Sequence, residues 1–478
     1  MLKKGLTVLA VLAVFGSASR AQNAGNVVNN VAQTIGATNL KSLQYSATGI
    51  TASLGQSYRP FEEGPQFKAT YSRSVDFEKG VSRQELVRTQ LLDPPRGAGG
   101  QPLYTESRAG GVQSEEAGFN ANSLALTIPH GWVKAAMTAN PTAQSLTIGR
   151  RPMTMVSYTA KGMYKVRGYI NSENLLEKVE TWLPNEVLGD ILVETSFSDY
   201  RDFAGVKFPT KIVQKQGGLP SFEYNVSNVQ PNAAVTLEAP APRPPAAQKV
   251  EPLKFAEGIW YLSGGGVNSA LVEFKDFAVV VETGQDQSRA LANIAQVKRM
   301  VPNKRIVQIN SHHHSDHVSG LRDWISEGAT IYTHAMNREY YDLLLRNPWT
   351  LHPDAYARTP KEGKFVYVRD KEVLTDGDRT MEIHWIRGNL HASNLLMSYL
   401  PKEKLLIVTD IFNMFYVPRP NDPPDGYSTP YTMNLWENIQ RLKLDIAHIF
   451  PAHGREVVPF AELRQKIEGR PSINPPVR

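Results

Sequence analysis

Within six residues, His312, His314, Asp316 and His317 set three imidazoles and a carboxylate in the pattern H-x-H-x-D-H, directly after the apolar run Ile306 to Ile309. So many ligand-type groups in so short a span rarely serve packing. If the apolar run is a strand that ends in a turn, His312 and His314, two residues apart, point the same way toward one ion, while Asp316 and His317 aim elsewhere past the bend. That geometry suits two adjacent metals, roughly 3.5 to 4 Å apart as in two-metal hydrolases. Imidazole and carboxylate without thiolate favour zinc, with iron or manganese as alternatives, and the chain has no cysteine at all. The competing reading is a metal-sticky histidine tract on the surface. Matching groups downstream argue against it: His391 follows the strand-like Met381 to Ile386, Asp410 ends Leu405 to Thr409, and His453 follows Ile446 to Phe450. Each is a ligand-type residue just past an apolar run, where functional side chains concentrate.

The elements that must hold these residues alternate between apolar strands and amphipathic helices. Leu291, Ile294 and Val297 mark one helix face, Leu435, Ile439 and Leu442 another, and Met336 to Leu345 a third that stops before Pro348. Asp316 is expected to cap a helix carrying Val318, Leu321 and Ile325 on one face. His313 alternates with the two ligands and is expected to face away from them. His334 reads as hydrogen-bonded scaffold, and no partner pattern gives His130, His352, His384 or His448 a role.

In order along the chain, Gly258-Ile259-Trp260-Tyr261-Leu262, the strand Ala278 to Glu282 with its Thr283-Gly284 turn, H-x-H-x-D-H, Gly320, Asp376-Gly377-Asp378, His391, Asp410 and His453 resemble the metallo-β-lactamase superfamily over about residues 251–460. The resemblance implies an αββα sandwich with the ligands at one edge. It implies a first metal on His312, His314 and His391, a second on Asp316, His317 and His453, and Asp410 bridging the two. A bridging aspartate is typical of the glyoxalase II-like and lactonase-like branches, whereas the common zinc β-lactamases carry cysteine or serine there. Glu282 departs from the aspartate usual before the Thr-Gly turn, which puts the support behind the metal ligands in question. Asp316 would double as the catalytic group that orients the attacking hydroxide.

Length and composition bound the surroundings. The 478 residues, 41% hydrophobic, can build two or three cores. A formal charge of +6, with no basic stretch interleaved with aromatics, argues against a nucleic-acid partner. Lys3 and Lys4, the apolar Leu6 to Phe15 and Ser19-Arg20-Ala21 read as a signal peptide over residues 1–21, and no later run reaches the roughly 20 apolar residues of a membrane span. Residues 22–232 read as a β-rich domain: Phe67, Ala69, Tyr71, Val75 and Phe77 alternate with polar residues, Arg73 being the misfit, and Tyr164 to Ile170, Lys178 to Trp182, Ile191 to Phe197 and Lys211 to Gln214 are further strands. The pattern is similar to a curved sheet of the periplasmic lipoprotein-carrier kind. Pro94 to Gly118 reads as a loop, and residues 233–249, with Pro240, Pro242, Pro244 and Pro245, as an extended linker to a hydrolase domain at 250–478.

The expectation is an α+β protein, periplasmic or secreted. It would be a dinuclear zinc-dependent hydrolase that uses a metal-bridging hydroxide on a small ester, lactone, thioester or related small-molecule substrate. Alternatives are β-lactam hydrolysis, or a non-catalytic periplasmic binding protein with a structural metal domain. The loop with Phe415, Tyr416 and Tyr427, between Asp410 and the Leu435 helix, is expected either to contact an apolar part of the substrate or to plug the core.

Overall fold

The computed structural model describes residues 23–91, 96–97, 106–241, 248–412, 430–454 and 456–468. Residues 1–21, read above as a signal peptide, and Phe415, Tyr416 and Tyr427 lie outside them.

Apolar alternation in the first half becomes one antiparallel sheet of eleven strands between Ser42 and Pro231. Strands one to four form one meander and five to eleven another, joined where the first, Ser42–Ala52, pairs the last, Leu219–Pro231. Helices Ala24–Thr34 and Pro129–Thr138, absent from the sequence reading, cover one face and supply Val28, Val31, Trp132 and Val133 to its core. The odd residues of Gln66–Asp76 are buried as their alternation requires, Arg73 included. Its two terminal nitrogens donate to Thr127 Oγ1 at 2.8 Å, Ser82 Oγ at 2.9 Å and the Asn122 carbonyl at 2.8 Å, so the misfit is a hydrogen-bonded buried cation. Pro94 to Gly118 is not all loop, because Glu106–Ser114 pairs along its length with Val81–Gln90. As an edge strand it tolerates Gly110 and Gly111, whose missing side chains a buried strand could not spare.

His130 sits under this sheet, stacked on Phe208 with ring centres 5.6 Å apart and its Nε2–H donating to the Ile35 carbonyl at 3.1 Å. Burial pushes its imidazole down to about 4. The unfolded chain takes up a proton near pH 6.5 that the folded chain refuses. The contribution is therefore complete above about pH 6.5 and is lost as pH falls toward 4, by at most about 3 kcal/mol. Unfolding midpoints of His130→Phe should fall less steeply than those of the unaltered chain across that window; parallel slopes would remove His130 as the cause.

The second half builds two more sheets, each with its strands in chain order. Seven strands run from Glu251–Ala256 to Lys364–Val368, the last four of them parallel, and six from Lys371–Thr375 to Val458–Pro459. Period-two burial explains the layering. Val279 and Val281 face inward with Ile309, Ile383 and Ile407, forming the core between the sheets. Ala278 and Val280 face outward onto helices Gln287–Met300, Leu321–Ser326 and Arg338–Arg346. On the far side Met397, Leu406 and Val408 meet Leu435 and Ile439 of Pro430–Leu442 and Leu463 of Phe460–Ile467. The order is helix, sheet, sheet, helix, as the resemblance implies. In Gln287–Met300 the buried stripe runs through Ala290, Asn293, Ile294 and Val297, and Leu291, expected on that face, is exposed. Spacings of three and four keep a stripe on one side of a helix, and Leu291 stands a full 100° from Ala290. Among the described residues no helix is long and apolar enough to cross a membrane.

Candidate metal centre

Each ligand-type residue follows a strand that ends at the same edge of the sandwich. Arg305–Ile309 leads to His312, His314, Asp316 and His317; Thr380–Trp385 to His391; Leu405–Val408 to Asp410; His448–Pro451 to His453. Their ligand atoms fall into two groups: His312, His314, His391 and Asp410, and Asp316, His317, Asp410 and His453, with Asp410 common to both. Asp410 Oδ2 lies 3.1 Å from His312 Nε2, 2.9 Å from His317 Nε2 and 3.1 Å from His391 Nε2, while Oδ1 lies 2.6 Å from His453 Nε2. Asp316 Oδ2 is 3.4 Å from His317 Nε2 and 3.8 Å from His453 Nε2.

The hydrogen bonds behind these rings fix which nitrogen faces inward. A carbonyl only accepts, so the 2.8 Å contact of His314 Nε2 with the Ser57 carbonyl puts the proton on Nε2 and leaves Nδ1 a bare lone pair. In the same way His453 Nδ1 donates to the Gly266 carbonyl at 2.8 Å, and His317 Nδ1 to Glu282 Oε2 at 2.8 Å. Inward lie His314 Nδ1, His317 Nε2, His453 Nε2 and Asp410 Oδ2, all buried without a hydrogen bond of acceptable geometry despite the short separations around Asp410. Buried polar atoms are nearly always paired. Inward-facing orphans, outward-donating second nitrogens on His314, His317 and His453, and an imidazole–carboxylate donor set fit a metal cation.

Charge in the metal-free chain tells the same story. Burial would raise the Asp410 carboxyl, but His317, His453 and His391 outweigh it and hold it well below the carboxylate range. Burial, with His317 beside it, drives His312 well below the ordinary imidazole value, and burial does the same to His314. Burial opposes the charged form of His317 too, yet Asp410, Asp316 and Glu282 overcome it and hold its proton tightly; His453 is raised chiefly by Asp410 against the same penalty. Protons occupy part of the space where a cation's charge would act.

Some expectations need amending. Asp316 is not a helix cap: His314 holds the cap position of Ser315–Val318, and a second short helix, Leu321–Ser326, begins after a break. The Asp316 carboxylate instead accepts from Gln56 Nε2 at 2.9 Å and faces His317. Glu282 does support the site, adopting a left-handed φ of 74° so that its carboxylate reaches His317. Strain at such a position marks a surrounding that over-determines it. Gly320 is needed for close approach, since a Cβ there would sit 2.4 Å from Ala290 Cβ and 2.8 Å from the Thr283 carbonyl. His313 turns away to Ser57 Oγ and Asn394 Oδ1, each at 3.1 Å, and His334 bonds the Arg369 carbonyl and the Met336 amide. Gln56 and Ser57 were invisible to motif reasoning: they lie in a turn-like stretch more than 250 positions upstream of the residues they touch.

Residues 262–453 match the family model of the metallo-beta-lactamase superfamily. This part of the chain is a metallo-beta-lactamase superfamily domain. The match to the superfamily takes in all seven ligand-type residues and none of the eleven-stranded sheet. The superfamily is one of metal-dependent hydrolases. Solved structures similar to the superfamily domain include a metallo-beta-lactamase from Pontibacter korlensis, 18% identical over 45% of this chain and 96% of that one, with a TM-score of 0.34. A metallo-beta-lactamase from Hirschia baltica is 18% identical over 45% and 95%, at 0.32. Rubredoxin oxygen:oxidoreductase from Desulfovibrio gigas is 21% identical over 45% and 59%, at 0.34. No curated protein matches the chain.

Proposed function

We propose that the chain is a dinuclear zinc hydrolase acting on a small ester, lactone, thioester or related acyl compound. The observation that carries this reading is the position of Asp410, one carboxylate shared by two complete sets of ligand atoms. Zinc bound there would supply Lewis acidity and bring water's pKa near neutrality. His312, His314 and His391 would hold one ion, and Asp316, His317 and His453 the other. Asp316, a third of it exposed, presents a carboxylate oxygen at the rim where an attacking water's proton can be accepted. Burial of His312, His314, His317, His391 and Asp410 limits access of bulk water and strengthens each charge contact. Aspartate rather than cysteine or serine at the shared position weighs against β-lactams as the substrate. Export is part of the proposal, on the strength of Lys3, Lys4, the Leu6 to Phe15 run and Ala21.

The test is turnover of aryl ester, lactone, thioester and cephalosporin substrates by chain stripped with a chelator and reloaded with zinc, with iron and manganese in parallel. Hydrolysis of an acyl substrate that disappears on stripping and returns with about two zinc per chain is expected. Hydrolysis of the cephalosporin alone would move the substrate class to β-lactams, and full activity in the stripped chain, or failure to take up any metal, would overturn the proposal.

A further inference from the structure

The eleven-stranded sheet meets the metal centre through the turn that joins its first two strands, residues 53–65. The Gly55 carbonyl accepts from the Ser315 amide at 3.0 Å, the Ser57 carbonyl from His314 Nε2 at 2.8 Å, and the Tyr58 carbonyl from the Ser393 amide at 2.9 Å. Gln56 Nε2 donates to Asp316 Oδ1 at 2.9 Å, and Phe61 packs edge-on against Tyr340 with ring centres 5.3 Å apart. One turn thus grips both the segment carrying His314 and Asp316 and the segment just after His391. Its backbone is shaped for this. Gly55 has a φ of 72°, and a Cβ there would come within 3.0 Å of Ser315 Cβ.

We propose that residues 53–65 are a positioning wall of the metal centre, the Ser57 carbonyl presenting His314 Nδ1 to one ion and Gln56 aiming Asp316 at the other. The inference rests on the dinuclear reading above. It gives the N-terminal sheet a part in the reaction centre: the superfamily domain carries every ligand, but the tautomer of one and the direction of another are set from outside it. Outer partners of this sort typically change metal affinity about 10- to 100-fold.

The experiment is stepwise zinc removal from the full chain by a graded series of chelators, followed by zinc counts per chain and, separately, the unfolding midpoint of the metal-free protein. Gln56→Ala should release one zinc about 10-fold more readily, and Gln56→Glu, which sets a second carboxylate against Asp316, more readily still. The other zinc should be held as in the unaltered chain, and metal-free midpoints should not move. Gly55→Val, which forces the turn off Ser315, should weaken both. Glu62→Ala, in the same turn but paired only with Arg59 at 3.5 Å, should behave as the unaltered chain. If the unaltered chain holds two zincs and the Gln56 and Gly55 variants hold both as tightly, the positioning role is overturned while the hydrolase reading stands. If the unaltered chain holds none, both fall together.

Discussion

Replacing Asp410 by alanine should drop the zinc content from the proposed two per chain to less than one and reduce hydrolysis to the rate of the metal-stripped protein. The expectation follows from geometry. Asp410 is the one group within 3.1 Å of four imidazoles, and both sets of ligand atoms lose a member when it goes. Loss of its charge also leaves His317 and His453, whose protons it helps to hold, with less negative charge around them in a buried site. Asp410→Asn keeps the shape and removes the charge, so it should retain some metal on the His312, His314 and His391 side, where burial holds the His312 and His314 imidazoles in the neutral form that binds metal. Because His317 and His453 hold protons above their ordinary range, zinc uptake near neutrality should release protons into a weakly buffered solution. Elemental counting with a pH-stat trace checks both. An Asp410→Ala protein that keeps two zincs would show that the two sets are not bridged by this carboxylate.

The largest stability effect is expected at Asp354→Ala. Arg322 donates to both Asp354 oxygens, from Nε at 2.6 Å and Nη2 at 2.9 Å, and from Nη1 to the Leu344 carbonyl at 3.0 Å. Its guanidinium lies against the rings of Trp349 and Tyr356, 4.1 and 4.5 Å from their centres, and both charged side chains are only 3% exposed. Removing the carboxylate leaves a cation stranded in the core, at a cost of about 3 to 5 kcal/mol. It also uncaps the Ala355–Arg358 turn, where Asp354 accepts from the Ala357 amide at 2.7 Å. The unfolding midpoint should fall by about 10 °C. Arg322→Met with Asp354→Leu, which removes both charges together, should recover much of the loss. A double variant as unstable as the single one would show that shape, not the stranded charge, dominates.

The contrast between what the residues disclosed and what they hid has a physical origin. The gathering of His312, His314, Asp316, His317, His391, Asp410 and His453 at one edge was legible because strands deliver the residues at their ends to a common edge, so apolar runs ending in ligand-type side chains could be read directly. The layered sheets were legible for a similar reason, since period-two burial leaves its mark on each strand. What stayed hidden depends on backbone groups or on partners distant in sequence. The Ser57 carbonyl is the same atom in every residue type, and nothing in Gly55-Gln56-Ser57 announces that it faces His314. The cap expected at Asp316 failed because a local rule was applied to a carboxylate that long-range partners had already engaged. Leu291 failed by one position of helical rotation. Helices Ala24–Thr34 and Pro129–Thr138 escaped notice because the surrounding strand alternation dominated the reading of that half.

The grip of residues 53–65 on the ligand segments also bears on the order of assembly. Gly55 and His453 stand almost 400 positions apart, and the centre needs both ends of that span. Contacts so distant in sequence close late, because loop entropy is lost before they repay it. An emerging chain therefore offers a passing ion the clustered His312, His314, Asp316 and His317 without His391, Asp410 or His453 until those residues have been made, and the full set of ligands is expected to close late in folding. For a protein that crosses a membrane unfolded, that timing would leave the choice of metal to the compartment in which the chain arrives.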